Sequence, residues 1–214
     1  MRKTALLLPL VTAFVFSSCI GTATEIEIRR DGSGTIALEY RISREFESLG
    51  KLDGNEGWPP LPVGEADFER TAARIDGLSL RSFTTKTTAK DVISQAKLDF
   101  ADLETLVYFL DASGQQASLG REGGKNRLTL IFGSFPDTDP ELLSLVSSVM
   151  EGYSLDFRLT LPVNAELRIL DGNGGVLASP PAGSGAVQGT GVSFSSPMAE
   201  LLTSARPVNL EILW

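Results

Sequence analysis

Hydrophobic and polar residues alternate twice near the start of the chain. Ile26 and Ile28 stand between Glu25, Glu27 and Arg29, and Ile36, Leu38, Tyr40 and Ile42 alternate with polar or small residues. A period of two places each apolar set on one face of a strand. Asp31-Gly32-Ser33-Gly34 separates the two runs, and glycine takes the positive φ that tight turns require. The pattern predicts a β-hairpin with one buried face, beginning at Glu25. Residues 78–86 and 92–100 predict a second strand pair, broken near 87–90. Residues 115–120 form a weak strand before a Gly-Gly turn, and Leu128, Leu130 and Phe132 alternate after it. Tyr153, Leu155, Phe157, Leu159, Leu161 and Val163 make the longest alternation in the chain. Residues 166–170 and 176–178 flank Asp171-Gly172-Asn173-Gly174-Gly175 as a further hairpin. Residues 180–191 are rich in Gly, Ser and Pro and read as a flexible loop, after which Val192 and Phe194 add a strand. Val208, Leu210, Ile212 and Trp214 alternate to the last residue and predict a strand docked in the sheet.

Helical spacing appears between these strands. Residues 44–51 are a short candidate. Residues 65–75 place Phe68, Ala72 and Ile75 on one face, with Gly77 to stop the helix. Residues 102–111 align Leu103, Leu106, Val107 and Leu110. Asp139-Pro140-Glu141 combines a capping carboxylate, a first-turn proline and an acid at the positive helix end, ahead of Leu142, Leu143, Val146, Val149 and Met150. Residues 198–205 are a further short helix. Strands outnumber helices, and hairpin turns join most neighbours. The expected fold is α+β: an antiparallel β-sheet built from hairpins, with three to four helices packed on one face. Residues 25–214 are expected to form a single domain, because the stretch before the Gly/Pro-rich loop at 52–64 is too small to fold alone.

The first residues follow a different pattern. Arg2 and Lys3 precede an uncharged, mostly apolar run from Thr4 to Phe16, followed by Ser17, Ser18 and Cys19. This is the layout of a signal peptide. The run is 13 residues long, short of the roughly 20 that a spanning helix needs. Phe16-Ser17-Ser18-Cys19 resembles the bacterial lipobox in the relaxed form of spirochaetal lipoproteins, with Phe16 and Ser18 departing from the stricter pattern. The resemblance implies that the Cys19 thiol carries diacylglycerol and that the chain is cut between Ser18 and Cys19. Residues 1–18 would then be a lipoprotein signal peptide and residues 19–24 a lipidated tether bearing palmitate-like acyl chains. Each buried methylene contributes about 0.8 kcal/mol to such an anchor. The competing readings are a plain secretory signal with a chance cysteine, or an uncut membrane anchor. Cys19 is the only cysteine, so it forms no internal disulfide, and a leftover thiol is unusual in a secreted chain.

Composition narrows the function. Taking 18 residues from 214 leaves 196, and losing Arg2 and Lys3 moves the formal charge from −8 to −10. An acidic chain whose nearest basic cluster is Arg29 and Arg30 is suited neither to nucleic acid nor to docking a broad face on anionic lipid. The chain has no histidine. With Cys19 acylated it also has no free thiol, so Ser-His-Asp and Cys-His catalysis and ordinary zinc sites are excluded within it. No cofactor and no metal are expected. A carboxylate pair, a Ser-Lys pair or an oxygen-ligand cation site stays open.

Four candidates follow. The Asp-Gly-x-Gly turns at 31–34 and 171–174 each come after Glu-apolar-Arg, but neither supplies the series of oxygens that a calcium loop needs, and they read as hairpin turns. Trp58, Pro59 and Pro60 are a candidate ligand or partner loop, or else a lid on the core. Asp99, Asp102 and Glu104 could form a carboxylate site, against the plainer reading that Asp102 caps a helix. Gly183-Ser184-Gly185 and Gly189-Thr190-Gly191 lack the helix and lysine of a phosphate loop.

The layout resembles the LppM-type bacterial lipoprotein domain. The likeness rests on the lipobox cysteine, the first hairpin with Asp31-Gly32-Ser33-Gly34-Thr35, the late strand ending in Leu161-Pro162, a glycine-rich turn region and a terminal strand ending in Trp214. It spans most of residues 24–214. It implies no catalytic residues, and it implies lipid binding for some such domains. The expected protein is therefore a membrane-anchored bacterial lipoprotein that is not an enzyme. Its extracytoplasmic domain would bind lipid or another apolar envelope ligand in a groove between the sheet and its helices. The alternative is a structural or protein-interaction lipoprotein of the envelope, and a carboxylate-based hydrolase is the third reading. Its partners would be the membrane, through the N-terminal lipid, and a lipid or an envelope protein. It would sit on the periplasmic face; resemblance to the lipoproteins of enteric bacteria, in which an aspartate after the cysteine signals inner-membrane retention, favours the outer membrane, since Ile20 follows Cys19.

Overall fold

The computed structural model describes residues 20–44, 64–111, 115–133, 150–171, 173–204 and 206–214. The first hairpin forms as its alternation predicts. Strands β1 (Ile20–Ile28) and β2 (Gly34–Ser43) pair antiparallel with Ile26 opposite Ile36. Their turn is closed by Asp31 Oδ1, which accepts from the Ser33 N–H at 3.0 Å and from Ser33 Oγ at 2.7 Å, with Gly32 at φ 88°. Helix α1 (Glu65–Arg74) follows, and then the hairpin of β3 (Leu78–Thr87) and β4 (Asp91–Phe100). Helix α2 (Leu103–Leu110) is capped by Asp102, whose Oδ1 accepts from the Thr105 N–H at 2.7 Å. The hairpin of β5 (Ala117–Glu122) and β6 (Lys125–Phe132) turns at Gly123 and Gly124. Beyond Met150 come β7 (Ser154–Thr160), β8 (Glu166–Leu170), β9 (Val176–Leu177), β10 (Ser184–Gln188), β11 (Gly191–Pro197), helix α3 (Met198–Thr203) and β12 (Val208–Leu213).

The strands form two sheets where one was expected. Seven lie in the order β10-β11-β7-β1-β2-β4-β3 and five in the order β5-β6-β12-β8-β9. The face expected to receive a layer of helices is covered largely by the second sheet. Phe132 of β6 stacks on Phe194 of β11, with ring centroids 5.4 Å apart, and meets Phe157 of β7 at 6.1 Å. On β12, Val208, Leu210 and Ile212 are wholly buried. One contiguous core runs through both sheets. The helices are peripheral to it. Phe68 of α1 packs on Tyr40 and Phe83 at 6.2 and 5.7 Å, α2 bridges β4 and β5, and α3 leads from β11 to β12. Among the described residues there are three helices, attached at three different places. The α+β class holds, but the layer of three to four helices on one face does not. Alternation shows that a strand has one buried face, and two such sheets can bury each other.

Three further expectations are corrected. β1 also pairs with β7, in parallel, with Thr22 opposite Leu155 and Ile26 opposite Leu159; parallel neighbours are joined by long crossovers, which a hairpin-by-hairpin reading misses. Residues 20–24, read as a tether, are the start of β1 and pair with β2 from Ile20 onward. The 180–191 loop contains β10, which pairs with β11. Gly185 lets the two sheets approach closely there: a Cβ would stand 3.1 Å from Leu167 Cδ2 of the other sheet. The helices expected at 44–51 and 139–150 lie outside the described residues except at their ends, Arg44 and Met150. Among the described residues no helix is long and apolar enough to cross a membrane.

Candidate functional site

Burying one face of the seven-stranded sheet turns the other toward solvent. On β1 that open face carries Gly21, Ala23, Glu25 and Glu27. Ala23 lies opposite Glu39 of β2 on one side and Asp156 of β7 on the other, and Gly21 lies opposite Arg41. Two small residues on a central strand, between long polar ones, leave a hollow. Gly21 and Ala23 floor a pocket of about 420 Å³ walled by Glu39, Arg41, Ser154 and Asp156 and closed by Lys90, Asp91, Glu151 and Tyr153. Tyr153 reaches over the start of β1. Its Cδ1 is 3.2 Å from the point where a Cβ on Gly21 would lie, and its hydroxyl donates to Asp91 Oδ1 at 2.8 Å. A shallower hollow of about 340 Å³ continues the trough past Ala23, Ala37, Gln95 and Lys97.

The pocket charges are held in place. Glu39 accepts from Gln95 Nε2 and from Arg41 Nε, each at 2.7 Å, and these bonds hold its carboxyl below the usual 4.5. Asp156 is raised by burial. Hydrogen bonds from Ser154 Oγ at 2.6 Å and Ser195 Oγ at 2.7 Å, with the charges of Arg158 and Arg41, outweigh that and leave it below the usual 3.8. Arg41 is raised by Glu39, with Asp91 and Asp156 adding to the effect. Lys90 is exposed at the rim. The site therefore presents fixed charges of both signs around a floor of small residues.

The outer face of the five-stranded sheet is different. Arg168 Nη1 donates to Glu122 Oε1 at 2.7 Å and lies 3.5 Å from Glu211 Oε2, while its Nε donates to Glu166 Oε1 at 2.9 Å. Arg127 stands 3.4 Å from Glu122 and 3.7 Å from Glu211, and Lys125 is 3.2 Å from Glu166. These three acids and three bases form one neutral network over β12, around the buried Glu211. The sequence signals neither this network nor the pocket, because both depend on which strands become neighbours.

Ser18, Cys19, Trp58, Pro59 and Pro60 lie outside the described residues. The chain enters the sheet at Ile20, the residue after Cys19, at the pocket's end of β1. Asp99, Asp102 and Glu104 do not act as one site: Asp99 pairs with Arg81 at 2.8 Å and Asp102 caps α2. Asp171 Oδ1 accepts from the N–H groups of Asn173 and Gly175 at 2.9 and 2.7 Å, so it closes its own hairpin as Asp31 does. Gly189 stands in the turn between β10 and β11, where no helix follows. Among the described residues no three His, Cys, Asp or Glu side chains are grouped to hold a metal.

Fold and face together define a two-sheet α+β domain with one open, polar sheet. No known family model matches the chain, and no curated protein is found similar to it. Among solved structures it is similar to the folded domain of LppM from Mycobacterium tuberculosis, determined by NMR, at 12% identity over 91% of this chain and 88% of that one, with a TM-score of 0.47. A likeness that loose carries no argument about function.

Proposed function

We propose that this protein is a membrane-anchored lipoprotein of the bacterial envelope, held through Cys19, whose domain is a non-catalytic binding module. The observation that supports it most is the junction at Ile20: a relaxed lipobox leads without a spacer into a strand that pairs with β2 from Ile20 and with β7 from Thr22. Acyl chains on Cys19 would hold the pocket end of the sheet at the membrane surface. The sequence leads to lipid or another apolar envelope ligand in a groove between the sheet and its helices, and the second sheet stands where those helices were expected. Phe132, Phe157, Phe194 and Leu210 occupy the space between the two sheets, so the binding surface is assigned to the open polar face. Catalysis by a carboxylate pair is disfavoured chemically. A general acid must be kept protonated near neutral pH, and Glu39 and Asp156 are both held below their usual values.

The second reading is a structural or protein-interaction lipoprotein. The breadth of the open face favours it, since paired charges such as Arg158 with Glu25, at 2.7 Å, extend well beyond the pocket. In either case the domain would work on the periplasmic face, with the outer membrane favoured. Intact mass of the protein extracted from membranes tests the anchor. The expected species begins at Cys19 and carries acyl groups; a species cut elsewhere, or unmodified at Cys19, would overturn it.

A further inference from the structure

The geometry points to the pocket at the Ile20 end of the seven-stranded sheet as a site for a zwitterion in which a short spacer joins a primary amine to a phosphate ester, the chemistry of a phosphoethanolamine headgroup. The register supplies the arrangement. Glu39 and Asp156 flank Ala23 from the strands on either side of β1, so their backbones stand about 10 Å apart with a small side chain between them. An ammonium seated over Ala23 would stand between the two strands that carry these carboxylates. Each has partners already, but a carboxylate offers about four acceptor sites, and capacity remains. One row along the strand, about 6.7 Å away, Gly21 lies opposite Arg41, and Lys90 stands at the rim. A phosphate placed there meets two cationic side chains.

The lining holds four carboxylates, Glu39, Asp91, Glu151 and Asp156, against two cations, Arg41 and Lys90, so a lone anion is repelled. What separates a zwitterion from a lone amine is the pair of cations on the Gly21 side, which an attached phosphate engages and ethylamine does not. The volume falls within the usual range for small-ligand sites. The ligand could be the headgroup of a lipid in the membrane beside the anchor or a free phosphate ester, and only the lipid source rests on the anchored reading above.

The test uses the chain from residue 19 onward carrying Cys19→Ala, which has neither an acyl anchor nor the apolar run of residues 4–16, so binding is read independently of anchoring. It is titrated with glycerophosphoethanolamine and, separately, mixed with vesicles of phosphatidylethanolamine in phosphatidylcholine. Saturable binding of the soluble ester is expected, weakened roughly tenfold by Asp156→Asn and severalfold by Lys90→Ala. Ala23→Leu fills the floor without changing charge and should abolish binding with melting unchanged, which keeps the test decisive if Asp156→Asn folds poorly. Vesicle binding that follows the same variants assigns the source to the membrane, while binding of the soluble ester alone assigns it to a free ester. No saturable binding, binding unaffected by Ala23→Leu, or equal affinity for ethylamine or inorganic phosphate alone would overturn the proposal.

Discussion

The outer faces of the two sheets carry the same kinds of residue and end up in opposite states. On the five-stranded sheet the central strand β12 places Glu211 among Arg127 and Arg168, and the charges close on one another. On the seven-stranded sheet the central strand β1 places Gly21 and Ala23 between Arg41, Glu39 and Asp156, and the charges surround a hollow. What separates the two is the size of a few side chains at the middle of each sheet. A long acid at the centre makes a self-satisfied face; two small residues make a receptive one.

Breaking what the faces share should have the largest effect. Phe194 is buried where the two sheets meet, so Phe194→Ala should cost about 3–5 kcal/mol in chemical denaturation and disturb both faces together. Next comes Glu211→Gln. It removes the buried acid from two arginines whose side chains remain 30% and 38% exposed, so the cost should be about 1–2 kcal/mol, less than for a fully buried pair. Ala23→Leu on the other face should change stability by no more than about 0.5 kcal/mol. If Ala23→Leu proved as damaging as Glu211→Gln, the two faces would not differ in the way described.

Acid should sharpen the same contrast by a smaller amount. Glu122 and Glu166 are lowered chiefly by Arg168, and Glu39 by Gln95 and then Arg41. Carboxylates with depressed folded values contribute stability above their ordinary value of 4.5, and lose it as pH falls through the folded values. Melting temperature should therefore decline as pH falls below that ordinary value. It should be nearly flat between about pH 5 and 8, where histidine would titrate and this chain has none. High salt should shrink the acid-side decline, because the network is largely exposed. A step in melting temperature near neutral pH would contradict this account.

Much of the local structure was legible in the sequence. The Asp31 turn, the Phe68 face of α1, the Asp102 cap and the alternation of β12 all declare themselves through neighbours close in sequence. What was not legible depends on distant partners. Nothing local tells Thr22 that it will lie beside Leu155, or tells Phe132 that its ring will stack on Phe194. The second sheet, the parallel pairing and the pocket all follow from such long-range choices. Gly185 misled for a related reason: a glycine kept for close approach to Leu167 reads, in isolation, as a flexible loop. The residues singled out from sequence as functional, Cys19 and Trp58 to Pro60, lie outside the described part of the fold, and the pocket was found only once β2, β1 and β7 were seen side by side.

On the proposed reading, Cys19 anchors a domain that folds independently of that anchor. It is tested by membrane fractionation of the wild-type chain beside a Cys19→Ala chain exported behind an ordinary cleavable secretory signal in place of residues 1–18, with a carbonate wash to strip peripheral proteins. The wild type is expected to stay in the washed membranes, whereas the folded domain of Cys19→Ala is released into the soluble extracytoplasmic fraction with an unchanged melting temperature. Retention of Cys19→Ala in the washed membranes to the same extent as the wild type would contradict it.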